Sequence, residues 1–460
     1  MNMRTENDFL GEMEIPADAP WGIHTARAMD NFPIPGASVP ALLLKALAQV
    51  KTACALANKE LGYLDAAKAD AIVDEASCFV MHQENCRARI TKQDASSTLS
   101  ALQGGAGTST NMFMNEVLAH GASARCGQSV HPIEDVNLHQ STNDVYPTAV
   151  KVAAIYGLRA LAEQIESLQG AFQRLEKQFA HIPTIGRTEL VEAVPLTLGA
   201  TFGAFAEAFA RDRWRTFKCE ERLRVVNLGG TAVGTGLTAP RNYIFLVTDK
   251  LREVTGLGLS RAENLVDQTA NADAFVEVSG MMKACAANLL KICGDLRLLH
   301  MTGEIRLPAV QAGSSIMPGK VNPVILESVM QIGIKVQAND FIITECASRG
   351  SLQINEFMPL LASALLESME LLGVAAEMLA RHAEGIEADE AACARRFNAS
   401  VEIVTAFLPV IGYDRATELV HAFKQTNCTD FRAYLETELG EERVNKTLSP
   451  QNLMALGYRR

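Results

Sequence analysis

From Pro40 onward, apolar residues recur at three- and four-residue spacing through seven stretches: 40–63, 66–90, 147–180, 196–226, 262–300, 323–346 and 356–383. That spacing lines them up on one side of an α-helix, and the abundance of Ala, Leu, Met and Glu in the same stretches favours helix on propensity too. Residues 1–40 differ, because Pro16, Pro20, Gly22, Pro33, Pro35 and Gly36 break any helix; an irregular arm with short strands is expected there. The fold class predicted is mainly α, with long helices as its main structural unit. Their polar faces are thin: Leu289, Leu290, Ile292, Leu296, Leu298 and Leu299 crowd the end of one, and alanines fill another between Ala200 and Ala210. Helices apolar over most of their circumference must be covered on most sides, which calls for a large bundle or a subunit interface, so an oligomer is expected.

Four polar loops separate these helices: Gln103–Asn111, Gln140–Asp144, Gly186–Glu189 and Gly313–Pro323. Ser, Thr and Asn before a helix ordinarily act as N-caps, as Ser141 or Thr142 would ahead of Pro147. Capping uses one hydroxyl per helix. It leaves unexplained the run Ser141-Thr142-Asn143-Asp144, and Thr108-Ser109-Thr110-Asn111 directly after a glycine-rich segment. Donor clusters beside helix N-termini suit anions, since free N–H groups and the helix dipole reinforce them.

The loop Gly313-Ser-Ser-Ile-Met-Pro-Gly-Lys-Val-Asn-Pro323 carries the densest chemistry. Its glycines and prolines rule out a continuous helix or central strand. Lys320 offers a point charge to a carboxylate or phosphate, Asn322 offers amide donors, and Ser314 or Ser315 offers an oxygen able to take a proton once ionised. A nucleotide-binding P-loop is excluded: five residues rather than four separate Gly313 from Gly319, and Val321, not Ser or Thr, follows the lysine.

Composition narrows the partners. With 460 residues, 48% hydrophobic and 21% charged, the chain has core material for several domains. A net charge of −11 and the absence of a Lys/Arg cluster argue against nucleic acid or an anionic membrane as partner, but leave room for a small anionic substrate held by local cations. Ten scattered cysteines without a C-x-x-C pair suit reduced thiols in a cytosol rather than disulfides or structural zinc. The charged N-terminus and the lack of a long apolar run point the same way, so a cytoplasmic location is expected.

The motifs together resemble those of the aspartase/fumarase superfamily, nearly end to end. The 313–323 loop is its most specific signature. Gly105-Ala-Gly-Thr-Ser109 with Asn115-Glu116, Gln140–Asp144, Gly186-Arg-Thr188 and Gly234-Thr-Gly-Leu237 are similar to further family blocks. Pro16-Ala-Asp18, Gly22-Ile-His-Thr25 with Arg27, and Glu192-Ala-Val-Pro195 resemble the aspartase branch more than the hydratases.

This resemblance implies a three-domain subunit (1–139 N-terminal, 140–394 central helical bundle, 395–460 small C-terminal) and a homotetramer with a twenty-helix core, its sites formed where three subunits meet. It implies an ammonia-lyase that eliminates ammonia from L-aspartate, through an aci-carboxylate, to give fumarate. Ser314 would be the base, Lys320 and Asn322 would grip the carboxylate that gathers charge, and Thr108, Ser141, Thr142, Asn143 and Thr188 would hydrogen-bond the substrate. No organic cofactor and no protein-held metal is implied, although a divalent ion activates some relatives. Three departures bear on the substrate. Glu189 stands where His or Gln is usual and would reach the substrate, with Glu327 in a supporting role as a second acid; Phe113 replaces a common Asn; and His300–Gly303 is shortened. These keep a second reading open, a superfamily lyase that hydrates fumarate or eliminates another amine.

Overall fold

The computed structural model describes residues 2–86 and 99–458, so the last four positions of the 66–90 stretch lie outside the described residues. The chain begins with an antiparallel hairpin, β1 (Met3–Asp8) and β2 (Gly11–Pro16), and a short helix α1 (Ile23–Asn31). Helices α2 (Ala41–Glu60), α3 (Ala66–Cys86), α4 (Thr108–Cys126) and α5 (Thr142–Gln178) follow. A second hairpin, β3 (Pro183–Thr188) and β4 (Val191–Thr197), leads into α6 (Leu198–Leu223). Then come α7 (Arg241–Thr255), α8 (Leu265–Ala270), α9 (Asp273–Met301), α10 (Val324–Ser348) and α11 (Met358–Ala383). Short helices α12 (Glu390–Ala399), α13 (Leu408–Lys424), α14 (Phe431–Leu439), α15 (Glu441–Thr447) and α16 (Pro450–Leu453) complete it.

Contacts divide the chain into two compact units. Unit 1 is Met1–Leu161, Arg215–Lys283 and Lys335–Leu371; unit 2 is Ala162–Trp214, Ala284–Ile334 and Leu372–Arg460. Five long helices, α5, α6, α9, α10 and α11, have residues in both. The mainly helical prediction holds. Two boundaries differ from the sequence reading, one through a long-range side-chain bond and one through a local bond.

Helix α5 starts at Thr142, ahead of Pro147, with the proline inside it. Proline has no N–H for the carbonyl four residues back. Here that carbonyl, of Asn143, is taken instead by the Asn227 side-chain amide at 2.9 Å, so the helix tolerates the proline. The 262–300 stretch is broken at Asn271, whose extended backbone (φ −105°, ψ 146°) separates α8 from α9. Its amide donates to Asp267 at 2.7 Å, the kind of local side-chain bond that competes with continued helix.

Unit 1 is built around α2 and α4. The first turn of α1 has no capping side chain of its own; the buried Glu116 carboxylate of α4 instead accepts from the backbone N–H groups of Gly22, His24 and Thr25 and from the Thr25 hydroxyl. Phe113 is 2% exposed and serves as core, not as a loop-facing group. In unit 2, Phe172 and Phe179 of α5 meet Phe202 and Phe209 of α6 at ring separations of 5.2–6.0 Å, a cluster that fixes the two helices against each other. Phe397, Phe407, Leu419, Phe431 and Leu435 form a further core that takes in Ile185 of β3. Helix α11 is long and apolar enough to cross a bilayer by length and composition, but most of it is buried within the protein, as suits a core helix. Cys54, Cys78, Cys126, Cys219, Cys293, Cys346, Cys393 and Cys428 form no disulfide.

Candidate active site

Thr108, Ser141, Thr142 and Asn143 lie in unit 1. Although Thr108–Asn111 reads as loop in the sequence, it forms the first turn of α4. Gly107, with φ +96°, is the residue before it, and a Cβ there would sit 2.5 Å from the Tyr146 ring, so only glycine lets the starts of α4 and α5 approach this closely. The Thr108 hydroxyl donates to the Gly105 carbonyl at 2.7 Å. Asn111 then donates to Thr142 Oγ1 at 3.1 Å, joining the two helix starts side by side.

The run 141–144 is held from several directions. Asp144 accepts from Ser141 N–H at 3.0 Å, and its second oxygen accepts from the Gly229 and Thr231 N–H groups at 3.1 and 3.0 Å. Ser141 Oγ accepts from Asn143 N–H, completing a reciprocal cap. Asn143 donates to the Ala232 carbonyl at 2.7 Å. Burial pushes the Asp144 carboxyl up to about 6, opposed by its N–H donors. Two turns further along α5, burial pulls the Lys151 amine down to about 8; this lysine donates to the Val225 carbonyl and Gln268 Oε1. A cavity of ≈ 10 Å³, about one water in size, is lined here by Asn143, Lys151, Gln268 and Asn355. A far larger cleft in unit 1, ≈ 910 Å³, is lined by Arg4, Glu6, His24, His120 and His131 among others, and by none of the expected catalytic or substrate-contact residues.

The sequence reading missed the residues behind this run. Asn137 and Gln140 accept from Lys51 Nζ, a lysine with no exposed surface in the middle of α2. A signal existed: Lys51 falls on the stripe of Leu44, Leu47 and Ala55, where an apolar residue belongs. Asp144, three residues after Ser141, was equally readable as the partner in a capping box.

Thr188, Glu189, Ser314, Lys320, Asn322 and Glu327 lie in unit 2. Thr188 ends β3, which is anchored by the fully buried Glu304: Thr184 Oγ1 donates to it at 2.5 Å, Arg187 at 2.8 Å and Thr302 Oγ1 at 2.7 Å. Glu189 and Leu190 make the two-residue turn to β4 with φ +53° and +64°. Asn and Gly usually fill such turns, so Glu and Leu here are strained by roughly 1–3 kcal/mol each.

The 313–323 loop is closed on itself. Gly313 N–H donates to the Lys320 carbonyl at 2.7 Å, and the Asn322 amide donates to the Gly313 carbonyl at 2.8 Å. Ser314 Oγ accepts two backbone bonds, from Ile316 N–H at 3.2 Å and Met317 N–H at 2.9 Å. Lys320 is exposed. Glu327, in the first turn of α10, has Arg297 of α9 at 4.0 Å, a cationic neighbour for that acid. Among the described residues no group of three or more His, Cys, Asp or Glu side chains could hold a metal ion.

This mainly helical chain, with hydroxyl-rich helix starts and a glycine-bracketed Ser/Lys/Asn loop, is similar in sequence and fold to known lyases. The pattern of the lyase family matches residues 11–338. The chain is 42% identical to aspartate ammonia-lyase from Pseudomonas canavaninivorans, over 99% of this chain and 97% of that one. It is 38% identical to the Escherichia coli K12 aspartate ammonia-lyase, over 100% and 97%. Among solved structures, fumarate lyase:delta crystallin from Brucella melitensis bound to cobalt superposes with a TM-score of 0.92 at 39% identity, covering 99% and 100%. Class II fumarase from Schistosoma mansoni gives 0.88 at 29%, over 99% and 100%. The chain belongs to the lyase family, in the aspartase/fumarase superfamily, and is an enzyme of the carbon–nitrogen lyase type.

Proposed function

We propose that this enzyme removes ammonia from L-aspartate to give fumarate, reversibly, with Ser314 as the base. Abstracting a Cβ proton beside a carboxylate needs a strong base and a receptor for the charge that moves into that carboxylate. The observation that carries the assignment is the pair of N–H groups on Ser314 Oγ, because donors aimed at an oxygen favour its ionised form. In the reaction the Ser314 alkoxide takes the Cβ proton, the C–H electron pair becomes the double bond, and the Cα–N bond breaks on the opposite face with loss of ammonia. Lys320 and Asn322 hold the carboxylate that becomes the aci-dianion; Thr108, Ser141, Thr142, Asn143 and Thr188 donate to the substrate, and Glu189 faces its amine. Glu327 supports the site from α10. The aspartate ammonia-lyases at about 40% identity support the substrate.

No organic cofactor enters this scheme, and no step runs through a metal. The reading includes a cytoplasmic homotetramer of three-domain subunits. Five long helices per chain would supply a twenty-helix core, and Phe217, Ile334 and Phe341, each more than half exposed, would find cover there. Purified enzyme given L-aspartate is expected to release ammonia and fumarate in equal amounts. Fumarate formed from malate without ammonia would replace the proposal with the hydratase reading that the fumarase likeness keeps open. Activity only on other amines would transfer it to a substrate selected by Glu189.

A further inference from the structure

We infer that Lys51 is a positioning residue that sets the hydrogen-bond polarity around Thr142, through Asn137 and Asn111, so that the Thr142 hydroxyl keeps its proton available to donate toward the substrate. The inference rests on the proposed role of Thr142 as a substrate contact.

A lysine side chain offers N–H donors, so whatever it faces must accept. Lys51 Nζ is 2.9 Å from Asn137 Oδ1 and 2.8 Å from Gln140 Oε1, which fixes both amides with their oxygens toward it. Once Asn137 Oδ1 is fixed, its other neighbours have to approach it as donors. Asn111 Nδ2 and Asn115 Nδ2 do so, each at 3.2 Å. Asn111 Nδ2, 3.1 Å from Thr142 Oγ1, then directs its second hydrogen to that oxygen, which accepts it. A threonine oxygen that accepts from within the protein keeps its single proton for another direction. Thr142 is 9% exposed, so a direction toward solvent or ligand remains.

Two features show that this polarity is imposed rather than incidental. Asn111 Oδ1 and Asn115 Oδ1 are buried without a hydrogen-bond partner, while three donors converge on the one oxygen of Asn137. Left to itself, a neutral amide network relieves such a mismatch by turning an amide over; the Lys51 N–H groups on Asn137 Oδ1, together with the Asn137 Nδ2 bond to the Gln140 carbonyl, oppose it. Both hydrogen-bond partners of Lys51 are neutral amide oxygens, and Asp144 contributes only a more distant field, so this buried amine lacks the paired carboxylate that would accompany a purely structural salt bridge. Carboxylate recognition needs donors, and the network leaves the single proton of this hydroxyl directed away from Asn111.

A double-mutant cycle on the full-length enzyme tests the inference, with the KM for L-aspartate as readout and oligomeric state and melting temperature as controls. Thr142→Val alone is expected to raise KM by roughly tenfold, the loss of one hydrogen bond to a charged group. Lys51→Met is expected to raise KM about five- to tenfold in the parent but less than about twofold in the Thr142→Val background, because coupled residues are not additive. Asn111→Asp, which keeps the volume but turns the donor facing Thr142 into an acceptor, is expected to match Lys51→Met and provides the same cycle if the lysine variant does not fold. Additive effects of Lys51→Met or Asn111→Asp with Thr142→Val, while Thr142→Val itself raises KM, overturn the inference alone. A Thr142→Val enzyme with unchanged KM overturns the substrate role of Thr142 and the inference with it.

Discussion

The 141–144 turn and the 313–323 loop carry similar residue types, yet they are held in opposite ways. Around the first, side chains from α2, α4, α5, the 227–232 segment and α8 meet: Lys51, Asn111, Asn227 and Asp144 tie Ser141, Thr142 and Asn143 into a buried lattice. The second is fastened at its neck by Gly313, Lys320 and Asn322, and its Ser314 oxygen is bonded only within the loop. Preorganised donors suit recognition of a fixed anion, whereas a base that must meet its substrate and then let product leave suits a segment with few outside bonds. On that view the lattice governs binding and the loop governs the chemical step.

Ser314→Ala breaks the comparison most directly. It removes the proposed base while leaving the neck intact, and kcat is expected to fall by roughly a thousandfold or more with KM for aspartate little changed. Single-turnover rates retaining more than about a tenth of the parent value would remove Ser314 from the reaction. Lys320→Met comes next. Losing a charge that acts on the aci-carboxylate more than on the ground state is expected to lower kcat about a hundredfold, again with a smaller effect on KM. A change confined to KM would place Lys320 with the lattice and erase the division of labour.

Much of this was legible beforehand, and unevenly. The long helices were readable because apolar periodicity persists over many turns. Helix α4 was not, since Thr108-Ser109-Thr110-Asn111 has weak helix propensity; it is helical because Gln103 and Thr142 engage its polar side chains from outside the turn. The start of α5 was misplaced because the substitute donor for the proline-freed carbonyl, Asn227, comes from far along the chain. The 313–323 loop could be read as chemistry from composition alone, whereas Lys51 shows its meaning only when Asn137 and Gln140 are seen around it. Tertiary hydrogen bonds are invisible to periodicity.

Asn227→Leu sharpens the comparison from the other side. It removes both the donor to the Asn143 carbonyl inside α5 and the bond to Thr269 Oγ1. An orphaned buried carbonyl costs about 1–3 kcal/mol, so the melting temperature is expected to drop. Asn143, no longer held from behind, is expected to bind substrate less well, raising KM about tenfold with kcat changed less than threefold. A kcat effect as large as that of Ser314→Ala would show that the lattice also governs the chemical step.

The smallest effect is a pH dependence built into the lattice alone. His139 follows Leu138, whose carbonyl accepts from Asn58 and Gln140, and its Nδ1 meets Asn58 Oδ1 at 2.7 Å, between the rings of Tyr63 and Tyr243. Burial lowers its pKa below the ordinary 6.5. A group with a depressed folded pKa adds stability that is present above its unfolded value and lost as pH falls through the folded one. Stability is therefore expected to decline on the acid side of 6.5, and His139→Gln, which keeps an amide donor toward Asn58, is expected to flatten that decline. Denaturant midpoints measured between about pH 5 and 7.5 for the two proteins test this. The described 313–323 loop holds no histidine, so acid should weaken aspartate binding before it slows turnover; the reverse order would mean that the loop, not the lattice, is the acid-sensitive part.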